Sequence, residues 1–284
     1  MHENRSTSPD AAVLAAIAFG LLAASAAPAA SADVDLVPHR GFYAMKLGDL
    51  RKGSTVTDVR GGLAFEWGMS CDGFTVQQRA QMQFSYNEGQ DRDIGWTFAT
   101  WESRKADRYR FTMRKTRDGS VYEEVRGDAE LRRPRAAGSA RFRAPEAKTL
   151  ALPVGSMFPT EHTVALILAA REKRVTLLRR VFDGASMETA TEINAIIGPR
   201  MAPGEGLPKI TQERLGSHAL LQSPAWTMRL AFYSSDDEQE SLPEHEQTLV
   251  LQDNGIVRRL VLDYGDFTVD AALVQLTQVP KPKC

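Results

Sequence analysis

Cys71 and Cys284 are the only thiols in the chain, 213 residues apart (284 minus 71), and their chemistry turns on the compartment they occupy. Residues 11–24 form an uncharged apolar run suited to the core of a secretory signal. Ala30, Ser31 and Ala32 then supply the small side chains that a signal peptidase needs. Residues 1–32 are therefore expected to be a cleaved leader, leaving no transmembrane anchor, with 33–284 as a single domain. Both thiols would face an oxidising space, where an even cysteine count points to a disulfide. In the chain-entropy model a Cys71–Cys284 bridge closing so long a loop stabilises by about 5 kcal/mol. The spacing excludes a CxxC redox pair.

The remaining chemistry-bearing residues form no local catalytic motif. The sequence has no nucleophile elbow, Walker A loop, dinucleotide fingerprint or His-Glu-x-x-His. Beyond the leader, His39, His162, His218 and His245 lack metal-ligand spacing and read as structural, so no metal and no cofactor is expected. His245, between Glu244 and Glu246, reads as part of a solvated acidic loop. Gly61 and Gly62 read as a turn, because a strand pattern rather than a helix follows them. A hydrolase or transferase acting on envelope glycans or lipids would draw its acid and base from carboxylates such as Glu66, Asp72 or Glu161. Glycan cleavage would need a pair about 5–9 Å apart, which spacing along the chain does not reveal.

Charge excludes one class of partner. Removing Arg5, Glu3 and Asp10 with the leader reduces 35 basic and 36 acidic side chains to 34 of each, so no nucleic-acid partner is expected. The basic cluster Arg132, Arg133, Arg135, Arg141 and Arg143 and the acidic one of Asp236, Asp237, Glu238, Glu240, Glu244 and Glu246 read as solvated surface.

The elements that must position these residues are mostly strands. Apolar side chains recur with period two at Tyr43, Met45 and Leu47, at Leu63, Phe65, Trp67 and Met69, and at Ala80, Met82 and Phe84. The pattern continues through Trp96 and Phe98, then Tyr109, Phe111 and Met113, and returns at Trp226, Met228, Leu230 and Phe232. Asp72-Gly73, Asp118-Gly119, Asp183-Gly184 and Asp253-Asn254-Gly255 read as reversals between antiparallel neighbours. More than a dozen strands in one domain predict a closed or nearly closed barrel, since a flat sheet that wide would leave long exposed edges. One segment breaks the rhythm. Residues 158–170 predict a helix that is apolar nearly all round, and in a barrel such a helix is buried in the lumen. Residues 199–208 read as a loop across an opening. Trp67, Trp96 and Trp226 fall within alternating runs and read as core.

Several segments together carry a resemblance: Leu36-Val37-Pro38-His39-Arg40 with Tyr43, then Cys71-Asp72-Gly73-Phe74, then Leu152-Pro153-Val154-Gly155-Ser156-Met157-Phe158-Pro159-Thr160-Glu161-His162, and the terminal Cys284. The sequence resembles the EipB family of cell-envelope integrity proteins, the DUF1849 domain of Gram-negative bacteria. The resemblance implies a periplasmic, mainly β protein: a large antiparallel β-spiral, or incompletely closed β-barrel, with one buried central α-helix. It agrees with the Cys71–Cys284 pairing and implies a role in maintaining the envelope, without supplying a reaction. His39, Arg40, Thr160, Glu161 and His162 read as packing and capping around the helix entrance. The expected function is non-enzymatic, through another periplasmic protein or a lipophilic ligand in the barrel. A lumen filled by the helix would argue against the ligand, and an apolar cavity beside it would argue for one.

Overall fold

The computed structural model describes residues 33–233 and 242–284, and Val34–Cys284 form one unit. The leader with its cleavage point, and Asp236, Asp237, Glu238 and Glu240 of the acidic cluster, lie outside the described residues.

Eight strands follow one another as antiparallel neighbours: β1 (His39–Leu50), β2 (Val56–Met69), β3 (Gly73–Tyr86), β4 (Arg92–Ser103), β5 (Arg108–Arg117), β6 (Ser120–Leu131), β7 (Gly138–Ala144) and β8 (Lys148–Leu152). A short turn leads to β9 (Ser156–Met157), the helix α1 (Pro159–Arg171), β10 (Thr176–Val181) and β11 (Thr191–Met201). The helix α2 (Lys209–Leu215) and a 3-10 turn (Ala219–Leu221) precede β12 (Ala225–Tyr233), β13 (His245–Gln252), β14 (Val257–Asp263) and β15 (Phe267–Gln278). β15 pairs antiparallel with β1, so all fifteen strands form one sheet that begins at β8 and ends at β9. This is a nearly closed barrel with one seam, and the two strands at the seam are consecutive in the chain. At that seam Thr189 Oγ1 donates to the Ala151 carbonyl of β8 (2.9 Å), which satisfies backbone that an open edge would expose.

Period two decides which side chains face the lumen. Along β1, His39, Gly41, Tyr43 and Met45 are buried while Arg40, Phe42 and Lys46 are exposed. Outward positions carry cross-strand ion pairs such as Arg114–Glu124, Arg141–Asp128, Arg180–Glu192 and Arg259–Asp270. The outer surface is therefore not the continuous apolar band of an outer-membrane strand barrel. Among the described residues no helix is long and apolar enough to cross a membrane.

The helix lies inside. Leu166, Ile167, Ala169 and Ala170 pack into a core with Trp67, Leu177, Ile193, Trp226, Met228 and Leu230, drawn from β2 and β10–β12. Its start rests on an aromatic cluster in which Phe158 stacks on Tyr109 (centroids 5.0 Å) beside Phe111 and Phe182. Its end is tied across the barrel, where Arg171 donates through Nε and Nη2 to the two carboxylate oxygens of Asp253 (2.7 and 2.9 Å) in the β13–β14 turn.

Three sequence expectations change. Gly61 and Gly62 lie in the middle of β2, where a Cβ on Gly62 would stand 2.5 Å from the Phe42 ring; close cross-strand approach, not chain reversal, requires glycine there. Asp183 and Gly184 begin a longer connection, 182–190, between β10 and β11, with the Asp183 carboxylate accepting from Ala185 N–H (2.9 Å). Pro199 belongs to β11, within a register shift between Ile197 and Arg200, so the loop starts at 202 and leads into α2. That excursion is held by Arg258, a fully buried guanidinium. It donates to the Gln252 side chain (2.9 Å) and to the carbonyls of Glu205 (2.8 Å), Leu221 (3.0 Å) and Ser223 (2.7 Å). Thr211 Oγ1 adds a bond to the Leu273 carbonyl (2.7 Å), seating α2 on β15.

Candidate functional site

A cavity of about 450 Å³ occupies the lumen beside α1. Its wall is the inward row of β1–β5 and of β10–β14, with Tyr43, Leu63, Trp67, Trp96, Leu249 and Leu262 among the contributors. The near side of α1 closes it with Thr160, His162, Thr163 and Leu166. The helix therefore does not fill the barrel. The volume lies within the range of about 300–1,000 Å³ usual for small-molecule sites, and the walls are predominantly apolar and aromatic, as such sites are.

The five motif residues divide between this wall and the outside. His39 shares the inward phase of Tyr43 and Met45 and is 2% exposed; its Nδ1 is 2.8 Å from the Val37 carbonyl, and its Nε2 is buried without a hydrogen-bond partner. Burial lowers its pKa, only partly opposed by the Val37 carbonyl. His162, one helical turn before Leu166, is 6% exposed, also has an unpartnered Nε2, and is pushed down to about 4 by burial and then by the Arg179 charge. Both rings stand in the wall of the same cavity. Arg40 instead projects outward and pairs with Glu66 (Nε to Oε2, 2.7 Å). Glu161 pairs with Arg135 (2.8 Å). Thr160 is buried, with its backbone N–H at the helix start.

The cap of α1 comes from a residue that sequence reading did not single out. Phe158, the N-cap residue, offers no side-chain bond; Glu102 at the end of β4 accepts from Thr160 N–H (2.7 Å) and Glu161 N–H (3.1 Å). Negative charge at a helix N-terminus is favourable, but Glu102 is 2% exposed, and burial raises its pKa to about 7 against the pull of those N–H groups. Its phase was visible in the sequence, two residues beyond Thr100 in the inward row of Trp96 and Phe98.

The carboxylates considered for acid–base chemistry have separate engagements: Glu66 with Arg40, Asp72 with Ser70 Oγ (2.8 Å) and Glu161 with Arg135. None of the three lines the cavity. His245 stacks on Phe232 (centroids 4.1 Å) and Glu246 pairs with Arg229, and among the described residues no cluster of acidic, histidine or cysteine side chains is arranged to hold a metal ion. Trp67 and Trp226 are core, Trp96 lines the cavity, and Trp101 faces outward beneath the Arg110 guanidinium, 4.8 Å from its ring. Cys71, in the β2–β3 turn, is bonded to Cys284, with Cα atoms 5.5 Å apart.

Fold and site together define a class: a nearly closed antiparallel β-barrel that keeps both a helix and an apolar cavity in its lumen. The model of a family described as EipB-like matches residues 30–280. The chain belongs to the EipB-like family. It is 29% identical over 255 residues to the cell envelope integrity protein EipB of Brucella abortus (strain 2308), covering 89% of this chain and 88% of that one. It is also similar to a crystal structure of a β-barrel-like protein of domain of unknown function DUF1849 from Brucella abortus. That likeness has a TM-score of 0.79 and 25% identity, over 87% of this chain and all of the other.

Proposed function

We propose that this chain is a non-enzymatic periplasmic protein that supports cell-envelope integrity by holding an apolar ligand in its lumen. The envelope role follows from membership of the EipB-like family and from the name of the Brucella relative. One observation supports the ligand reading, the apolar-walled cavity of about 450 Å³ left beside α1. A protein partner added at the sheet edge is the weaker version, because the Ala151 carbonyl on β8 is already occupied by Thr189.

Diphenylhexatriene, an apolar probe that fluoresces when taken out of water, tests the reading. The purified protein should bind it saturably, and Val76→Trp, which puts an indole into the cavity wall, should abolish binding while retaining the wild-type circular dichroism spectrum. In a strain lacking the gene, the wild-type gene should restore growth on detergent and the Val76→Trp gene should not. Undiminished binding by a folded Val76→Trp protein would place the probe elsewhere and remove the support for a lumen ligand.

A further inference from the structure

The polar groups of the lumen define a kind of ligand. His39, Gln78, Thr100, His162, Gln247 and Asn254 all line the cavity and all are uncharged. Among the lining residues Asp183 is the one acid, and burial raises the pKa of its carboxyl. No lysine or arginine stands in that wall. A carboxylate or phosphate drawn into the lumen would lose its water and meet no cation, a costly exchange.

His39 adds a direction. A carbonyl oxygen can only accept, so the 2.8 Å contact with Val37 puts the ring proton on Nδ1. Burial holds the imidazole neutral, leaving the Nε2 lone pair as an acceptor with no protein donor. The Phe65 ring, 5.5 Å from the imidazole between centroids, belongs to the same wall. His162 presents a second unpartnered Nε2 from α1.

We propose that the lumen selects lipophiles whose head is an uncharged hydrogen-bond donor, a hydroxyl or an amide N–H, with His39 Nε2 as the acceptor that reads it, and discriminates against anionic lipids and fatty-acid carboxylates. This rests on the lumen-ligand reading and specifies the ligand class.

Displacement of diphenylhexatriene at pH 7.4 by three ten-carbon probes separates the two. 1-Decanol should displace it at about ten-fold lower concentration than decyl methyl ether, which has the same chain and no donor, and lower again than decanoate. Decanoate equal to or better than the alcohol would overturn the exclusion of charge, and an ether as effective as the alcohol would overturn the role of the acceptor. In His39→Phe, with an unchanged circular dichroism spectrum, probe binding should persist and the preference for alcohol over ether should vanish; a retained preference would remove His39 from the proposal. Failure of the wild-type protein to bind diphenylhexatriene at all would sink the lumen-ligand reading itself, a result distinct from binding without discrimination.

Discussion

Glu102 and His162 both belong to the start of α1, and their protonation moves stability in opposite directions with pH. Glu102 holds its proton up to about pH 7 in the folded protein, against an ordinary value of 4.5, so between these limits the folded state carries a proton that the unfolded chain has lost. Its contribution to stability therefore falls as pH rises through that window. His162 titrates at about 4 in place of 6.5, so between those values the unfolded chain carries the extra proton and stability rises with pH. The two slopes oppose each other in the wild type over their shared range. Glu102→Gln keeps an acceptor for the helix N–H groups and removes only the first slope, so the variant should gain stability relative to wild type between pH 5 and pH 8 in urea unfolding; parallel curves would show that Glu102 titrates normally. Glu102→Ala strips the cap from both N–H groups and should cost about 0.5–2 kcal/mol.

α1 is an element held at both ends by partners far away in sequence, Glu102 at its start and Asp253 at its finish. A double-mutant cycle on Arg171→Ala and Asp253→Ala should give a coupling of about 1 kcal/mol, because the pair is bidentate and partly shielded from solvent. Additive effects would mean that the helix is fixed by packing alone. The helix itself was legible at 158–170, observed at Pro159–Arg171, because an all-round apolar segment among alternating strands has few places to go. The strands were legible from their period, and β3, β5 and β12 match it closely. Three things stayed hidden. Gly61 and Gly62 mark close strand approach with the residue type that also marks turns. α2 follows a glycine- and proline-bearing loop, and its seat on β15 and the burial of Arg258 arise only from tertiary contact. The cavity depends on how wide the barrel is relative to its helix, a sum over all fifteen strands that no local pattern encodes. His39 was singled out as packing, and its inward direction was also legible, since it stands in phase with Tyr43 and Met45.

For the whole molecule, the barrel is a single sheet with one seam, and the Cys71–Cys284 bond ties the chain's last residue to the second hairpin across 213 residues. Loss of that bond frees the unfolded chain. Cys71→Ser should lower stability by up to about 5 kcal/mol under oxidising conditions and leave the reduced protein unaffected. Equal melting temperatures for oxidised wild type and variant would contradict a stabilising role. The barrel buries the apolar face of α1 and leaves a cavity of about 450 Å³ beside it. The central claim is that this space is occupied in the cell. Native mass spectrometry with organic extraction, on protein recovered from the periplasm without detergent, tests it most directly. The account predicts a reproducible added mass from an uncharged lipophile that is lost in Val76→Trp, and a wild-type protein that arrives consistently at its bare polypeptide mass would contradict it.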